Sequence, residues 1–289
     1  MRIGYYPGCS LADHSTSREF GMSVERVSKA LGLELVEIDD WCCCGATAAH
    51  ATNHLLSIAL PARNLALAEK AGFKEVLAPC AACSNRLIGA DAEMRKDEHL
   101  RKEVEGIIEM PYTGGVKVIN YLEAVKKYCM DALAANVKRK LDGLKVACYY
   151  GCLLVRPPKA VQFDDPENPT SMDDIVKACG AEAVDWGFKT ECCGAGFTMS
   201  NGKAVVKLVN DILGNAKACG ANAIAVACPL CHVNLDLKQA AAESEYGQQY
   251  GLPVLYISEI IGLALGLPSE ELGVDLHFVD TAALVGQTA

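Results

Sequence analysis

The chain has 289 residues, 51% hydrophobic and 22% charged, enough apolar material for a buried core in one large or two ordinary domains. Its formal charge is −9 with Lys and Arg scattered along the chain, which excludes a basic nucleic-acid surface. The longest apolar candidate, "LYISEIIGLALGLP", carries a Glu and two Gly, and "MRIGYYPGC" lacks the apolar segment of a secretory signal; a cytoplasmic protein without a membrane span is expected.

In chain order, "RIGYY" from Arg2 reads as a strand that stops short of Cys9. "SREFGMSVERVSKALG" has helical spacing and closes at Gly32, and "LELVEI" from Leu33 is a second strand. Cys42, Cys43 and Cys44 then run straight into Gly45. A second helix-period stretch, "LLSIALPARNLALAEKAG", closes at Gly72, and the strand "EVLA" leads to Cys80 and Cys83 in a CxxC. "VKVINYLEA" from Val116 is a strand running into a helix.

Beyond "KRKLDGLKVA", near Asp142, the order starts again. The strand "LKVACYY" leads to Cys152, followed by the Pro-rich loop "RPPKAVQFDDPENPTS" and then Cys192, Cys193 and Gly194. "AIAVA" precedes Cys228 and Cys231, and "LPVLYISEI" from Leu252 repeats the strand-to-helix run. The spacings agree: 33 residues lie between Cys9 and Cys43 and 35 between Cys44 and Cys80, against 39 and 34 in the second half. Internal repetition at this scale implies duplication. Two domains are expected, 1–142 and 143–289. Each is an α/β unit with a mainly parallel sheet, the pair related by a pseudo-two-fold axis with a cleft between the two metal sites. Parallel sheets place ligands beyond the carboxyl ends of their strands, which is where Cys9, Cys80, Cys152 and Cys228 fall.

Fifteen cysteines is an odd number, and disulfides are disfavoured in a cytoplasmic chain, so thiolate ligation of a metal is the stronger reading. A structural Cys₄ zinc in each half would leave one repeated thiol idle. A cubane cluster also needs four thiolates, and the bacterial ferredoxin run is absent. Five thiols per half favour an iron–sulfur site with an unusual ligand count.

The pattern C…CCG…CxxC, present twice, resembles the cysteine-rich CCG domain family. "GYYPGCSL", together with duplication of the whole chain, is similar to the B subunits of heterodisulfide reductases within that family. The resemblance implies two non-cubane [4Fe–4S] clusters and a catalytic role in methanogenesis. The reaction implied is reduction of the coenzyme M–coenzyme B heterodisulfide to its two thiols in two one-electron steps. Carried onto this chain, the first cluster would use Cys9, Cys43, Cys44, Cys80 and Cys83, and the second Cys152, Cys192, Cys193, Cys228 and Cys231. Cys42 is the departure, since Glu191 stands at its place in the second half; a register slip would make Cys42 a ligand and Cys44 the spare. Gly45 and Gly194 favour the first register, because Gly lets the backbone approach a cluster. The implied partners are the small ferredoxin-like [4Fe–4S] protein and the flavin and iron–sulfur protein of a heterodisulfide reductase, with a hydrogenase or formate dehydrogenase upstream. Two alternatives stand beside this reading: a CCG component of a lactate/glycolate or fumarate/succinate oxidoreductase, and a non-catalytic zinc or electron-relay module.

An anionic disulfide bearing sulfonate, phosphate and carboxylate needs cationic anchors. Arg156 and Lys159 in the Pro-rich loop, Lys189, Arg18 and His14 are the candidates. His232, inside "CPLCH", is a candidate donor to a cluster sulfur. Cys129, Cys179 and Cys219 read as small buried hydrophobes in helical segments, and strand periodicity puts Cys148 on the same face as Cys152. No P-loop, GxGxxG or Ser–His–Asp arrangement is present.

Overall fold

The fold is described by a computed structural model covering residues 1–12, 14–282 and 284. The first half runs β1 (Arg2–Tyr5), α1 (Arg18–Ala30), β2 (Glu34–Glu37), α2 (Ala46–Thr52), α3 (His54–Lys70), β3 (Glu75–Leu77), α4 (Ala81–Lys96) and α5 (Glu98–Ile108). It ends with β4 (Lys117–Ile119), α6 (Tyr121–Ala124), a π-helical turn over Val125–Cys129, and α7 (Met130–Asn136). The second half runs β5 (Lys145–Tyr149), α8 (Ser171–Ala178), β6 (Glu182–Ala183), a 3₁₀ turn over Ala195–Phe197, α9 (Gly202–Ala218), β7 (Ala223–Val226), α10 (Pro229–Leu237) and α11 (Gln239–Tyr246). It closes with β8 (Val254–Tyr256), α12 (Ile257–Ala264) and α13 (Ser269–Leu272).

Each half therefore alternates strand and helix, and each builds a four-stranded, all-parallel sheet. The strand orders match position for position, β2-β1-β3-β4 and β6-β5-β7-β8. The strands are short and largely apolar; central β7 and edge strand β8 are buried at every position, as expected of strands covered on both faces. The two-residue β6 was not visible as an apolar run, because its two residues, Glu182 and Ala183, offer no strand pattern.

The halves also exchange helix contacts reciprocally. From the second half α12 packs on α1, and from the first half α6 packs on α8. At the first of these contacts Phe20 stacks on Tyr256 with ring centroids 4.2 Å apart, and the Ser23 and Ser258 hydroxyls meet at 2.7 Å. The core is thus continuous through both sheets.

Cys148 departs from expectation. Strand β5 stops at Tyr149 and the chain turns at Gly151, so strand periodicity does not carry from Cys148 to Cys152. The Cys148 side chain is fully buried beside Asp173, and its thiol is pushed well up by that burial. Cys179 and Cys129 are buried as expected, whereas Cys219 is exposed at the end of α9.

Candidate metal centre

The CxxC cysteines enter first, because the helices fix them. Cys80 and Cys228 are the N-cap residues of α4 and α10, and Cys83 and Cys231 lie in the first turns. A helix start presents unpaired N–H groups and a positive dipole end, both of which favour thiolate over thiol. Pro229 at the start of α10 is suited to that position, since its missing N–H would be unpaired there anyway. The backbone of that first turn favours the thiolate at Cys228, and the Cys83 backbone does the same at Cys80.

The adjacent pairs reach these helices from the other side. Cys44 Sγ lies 3.5 Å from Cys83 Sγ, and Cys43 Sγ lies 3.6 Å from Cys9 Sγ. In the second half Cys193 Sγ is 3.7 Å from Cys231 Sγ, and Cys192 Sγ is 4.0 Å from Cys152 Sγ. Two sulfurs bonded at about 2.3 Å to one tetrahedral metal sit about 3.8 Å apart, so each of these separations suits a shared ion. Cys80 and Cys228, one from each half, lie near enough to shift each other's acidity. The ten repeated thiols therefore form one continuous group across the join, in place of two groups separated by a cleft.

Such crowding splits the thiol acidities. The contact with Cys43 and then that with Cys83 hold Cys44 far below the ordinary thiol value, while Cys43 is pushed up by the same contact and by burial. Cys192, in contact with Cys152, is lowered to about 6. The CxxC thiols and Cys44 and Cys193 are buried, whereas Cys9, Cys43 and Cys192 are exposed. One side of the group is thus sealed in the protein and the other faces solvent.

Four glycines make this packing possible, and two of them were not foreseen. Gly45 and Gly194 both adopt φ of 78°, turning the chain into the helical segment after each cysteine pair; a Cβ on Gly45 would lie 2.6 Å from that of Ala49. They serve both a local turn against a neighbouring helix and an approach to sulfur: the Gly45 N–H donates to Cys43 Sγ and the Gly194 N–H to Cys192 Sγ, each at 3.4 Å. The glycines at which a side chain would run into sulfur are Gly8 and Gly151, in "PGC" and "YGC". Both have positive φ, and a Cβ would come within 2.9 Å of Cys83 Sγ and 3.1 Å of Cys231 Sγ.

Tyr6 and Tyr149 are equivalent in the repeat and were likewise missed. The Tyr6 hydroxyl donates to the Cys42 carbonyl at 2.8 Å, and that of Tyr149 to the Glu191 carbonyl at 2.5 Å. Each tyrosine thus pins the residue just before a cysteine pair. The readable signal was "YYPGC" against "YYGC": the tyrosine two residues before the glycine is common to both.

Cys42 is placed differently from its neighbours. The Asn64 side chain bonds both its backbone N–H, at 2.8 Å, and its carbonyl, at 2.9 Å, and its thiol lies 3.7 Å from the Leu60 carbonyl. Arg86, one helical turn beyond Cys83, adds a positive charge that lowers Cys44 further; Asn234 stands at the matching place in the second half and donates to the Cys193 carbonyl at 2.9 Å.

The cationic candidates separate into two sets. Lys189 is buried, with its ammonium 2.9 Å from Asp173 and 3.1 Å from the Pro169 carbonyl, so its charge is neutralised inside the protein. Arg156 is partly exposed and bonds Glu167 and Thr190, two residues ahead of Cys192. Lys159, Arg18 and His14 are exposed. His232 does not direct its Nε2 at sulfur: that nitrogen is 3.0 Å from the Val254 carbonyl.

Comparison with known proteins fits this geometry. A family model described as the CCG cysteine-rich domain matches twice, over residues 3–88 and 146–236. The chain belongs to the CCG family. This CCG chain is 34% identical over 285 residues to the 8-methylmenaquinol:fumarate reductase membrane anchor subunit of Wolinella succinogenes, covering 98% of both chains. It is 33% identical over 287 residues to the B subunit of the ferredoxin/F(420)H(2)-dependent CoB–CoM heterodisulfide reductase of Methanosarcina acetivorans, covering 96% of this chain and 94% of that one. A crystal structure of a hypothetical protein from Helicobacter pylori shares the fold, with a TM-score of 0.76 at 13% identity, covering 96% of this CCG chain and 52% of the other. Among the described residues, no helix is long and apolar enough to cross a membrane.

Proposed function

We propose that this CCG protein is the disulfide-reducing iron–sulfur component of a cytoplasmic heterodisulfide reductase-type oxidoreductase. Cys9, Cys43, Cys44, Cys80 and Cys83 would hold one non-cubane [4Fe–4S] cluster, and Cys152, Cys192, Cys193, Cys228 and Cys231 the other. The observation that carries the reading is convergence: in each half the adjacent cysteine pair reaches both the first cysteine and the CxxC, with sulfurs 3.5–4.0 Å apart. Five thiols per half exceed what a Cys₄ zinc site uses, and their 3.5–4.0 Å separations suit shared metal ligation. Bound clusters would supply one-electron transfer and a Lewis-acidic metal for sulfur.

Reducing a disulfide to two thiols takes two electrons and two protons. Two adjacent sites, one per half, match two one-electron deliveries to one bond. The protein's own part is to seal one side with buried thiols and leave Cys9, Cys43 and Cys192 facing solvent, where a disulfide can approach. Arg156 and Lys159 are proposed to attract the anionic groups of the coenzyme M–coenzyme B disulfide, with Arg18 and His14 as further cationic candidates. No flavin or ferredoxin motif stands in the chain, so electrons would arrive from a small ferredoxin-like partner protein. A flavin and iron–sulfur partner and a hydrogenase or formate dehydrogenase would lie upstream.

The Wolinella relative supports a second reading, in which the same group passes electrons between a quinol and fumarate. Turnover separates the two. The anaerobic protein, supplied with a chemical one-electron donor, is expected to reduce the heterodisulfide. Failure there, with activity recovered in a quinol-to-fumarate assay alongside a flavin partner, would favour the second reading.

A further inference from the structure

His232, Asp236 and His277 bring one possible ligand atom each to within 4.8 Å of one another, remote from solvent. His232 and Asp236 are one turn apart on α10, so both side chains leave the same face of the helix. His277 follows a 3₁₀ turn over Val274–Leu276 and closes the group from the C-terminal segment. Its side chain is 1% exposed, and its Nδ1 is buried with no hydrogen-bond partner.

The outer nitrogens are occupied in a telling way. His277 Nε2 lies 2.9 and 3.0 Å from the two carboxylate oxygens of Glu259, itself fully buried. His232 Nε2 lies 3.0 Å from the Val254 carbonyl. A carboxylate or carbonyl accepting one imidazole N–H fixes the tautomer and leaves the other nitrogen as a lone pair, the arrangement found around metal-bound histidines. Asp236 is held in turn by the backbone N–H groups of Phe278 and Val279, at 2.7 and 3.0 Å.

The charge balance points the same way. Glu19, Asp236 and Glu259 are three carboxyl groups buried close to His277. A buried unpartnered imidazole nitrogen beside an excess of carboxylates is costly unless a cation joins them.

We propose that His232, Asp236 and His277 bind a divalent transition-metal ion of the zinc class, separate from the cysteine group and ligated by nitrogen and oxygen only. Metal bonds of about 2.0–2.1 Å put ligand atoms about 3.3 Å apart, which modest side-chain rotation from the present positions achieves. The ion ties the segment after α13 to α10, the helix whose first turn carries Cys228 and Cys231. Glu259 positions His277 and is not itself a ligand. The proposal does not depend on which substrate the cysteine group serves.

The test uses the intact, anaerobically purified protein with its iron in place, equilibrated with Zn²⁺ alone and then dialysed. About one zinc per chain is expected, with a zinc absorption-edge spectrum showing nitrogen and oxygen neighbours and no sulfur. His277→Gln and Asp236→Asn should each lower retained zinc at least tenfold while iron and sulfide stay at the parent level. Zinc below a tenth of an equivalent in the parent protein, zinc with sulfur neighbours, or full retention in both variants would overturn the proposal. If a variant also loses iron, its fold is compromised, and the parent spectrum alone decides.

Discussion

Gly8 holds the tightest sulfur contact in the first half, with φ of +67° and the position of an added Cβ 2.9 Å from Cys83 Sγ. Left-handed backbone costs a non-glycine residue roughly 1–2 kcal/mol, and here the clash falls on a buried thiol in a first helical turn. Gly8→Ala is therefore expected to lower stability by about 2 kcal/mol or more and to strip iron from the first half while sparing the second. Denaturant unfolding together with iron analysis checks both parts. The three adjacent cysteines yield a second residue-scale prediction. Cys44 contacts Cys83 and Cys43 contacts Cys9, whereas Cys42 is turned to the Leu60 carbonyl. Cys44→Ser should remove roughly half of the iron, as expected for loss of one of two equal sites. Cys42→Ser should leave iron content near that of the parent protein; the opposite pattern would mean that the slipped register is the functional one.

At the scale of elements, the main strands were legible because each is an apolar run that ends just before a cysteine, and α1 and α3 because their apolar spacing ends in Gly32 and Gly72. What escaped reading depended on partners distant in sequence. His50 and His54 have the four-residue spacing of one helix face, but Asn53 ends α2 and caps α3 through the Leu56 N–H, so the two histidines sit on different helices. Lys189 looked like a free cation beside a cysteine pair; only the fold shows Asp173, 16 residues earlier, waiting for it in the interior. Removing one partner of a buried ion pair strands the other, typically at about 3–5 kcal/mol. Lys189→Ala should therefore lose stability on that scale, measured by chemical denaturation. Arg156→Ala, which breaks a contact with the exposed Glu167, should cost at most about 1 kcal/mol. If Arg156 meets the substrate, its loss should raise the KM for the heterodisulfide roughly tenfold with iron content unchanged. An unaltered KM in the Arg156→Ala, Lys159→Ala double variant would show that the loop charges only face water.

Across the whole molecule, duplication does more than double a site. The reciprocal packing of α12 on α1 and α6 on α8 turns the two carboxyl-end edges toward each other, which brings Cys80 and Cys228 near enough to shift each other's acidity. Repeats in the sequence made the two sites visible, but not their contact, because that depends on helices from one half covering the sheet of the other. The halves then diverge around the cysteines: Arg86 acts on the first group where Asn234 meets the second, and the longer loop from Arg156 belongs to the second half alone. The central claim, that five thiols per half serve iron–sulfur chemistry, is tested most directly by counting metal and acid-labile sulfide in anaerobically purified protein. About eight irons with a matching amount of sulfide in brown protein is the result expected for two four-iron clusters. Colourless protein carrying one sulfur-ligated zinc per half, with no sulfide, would contradict it.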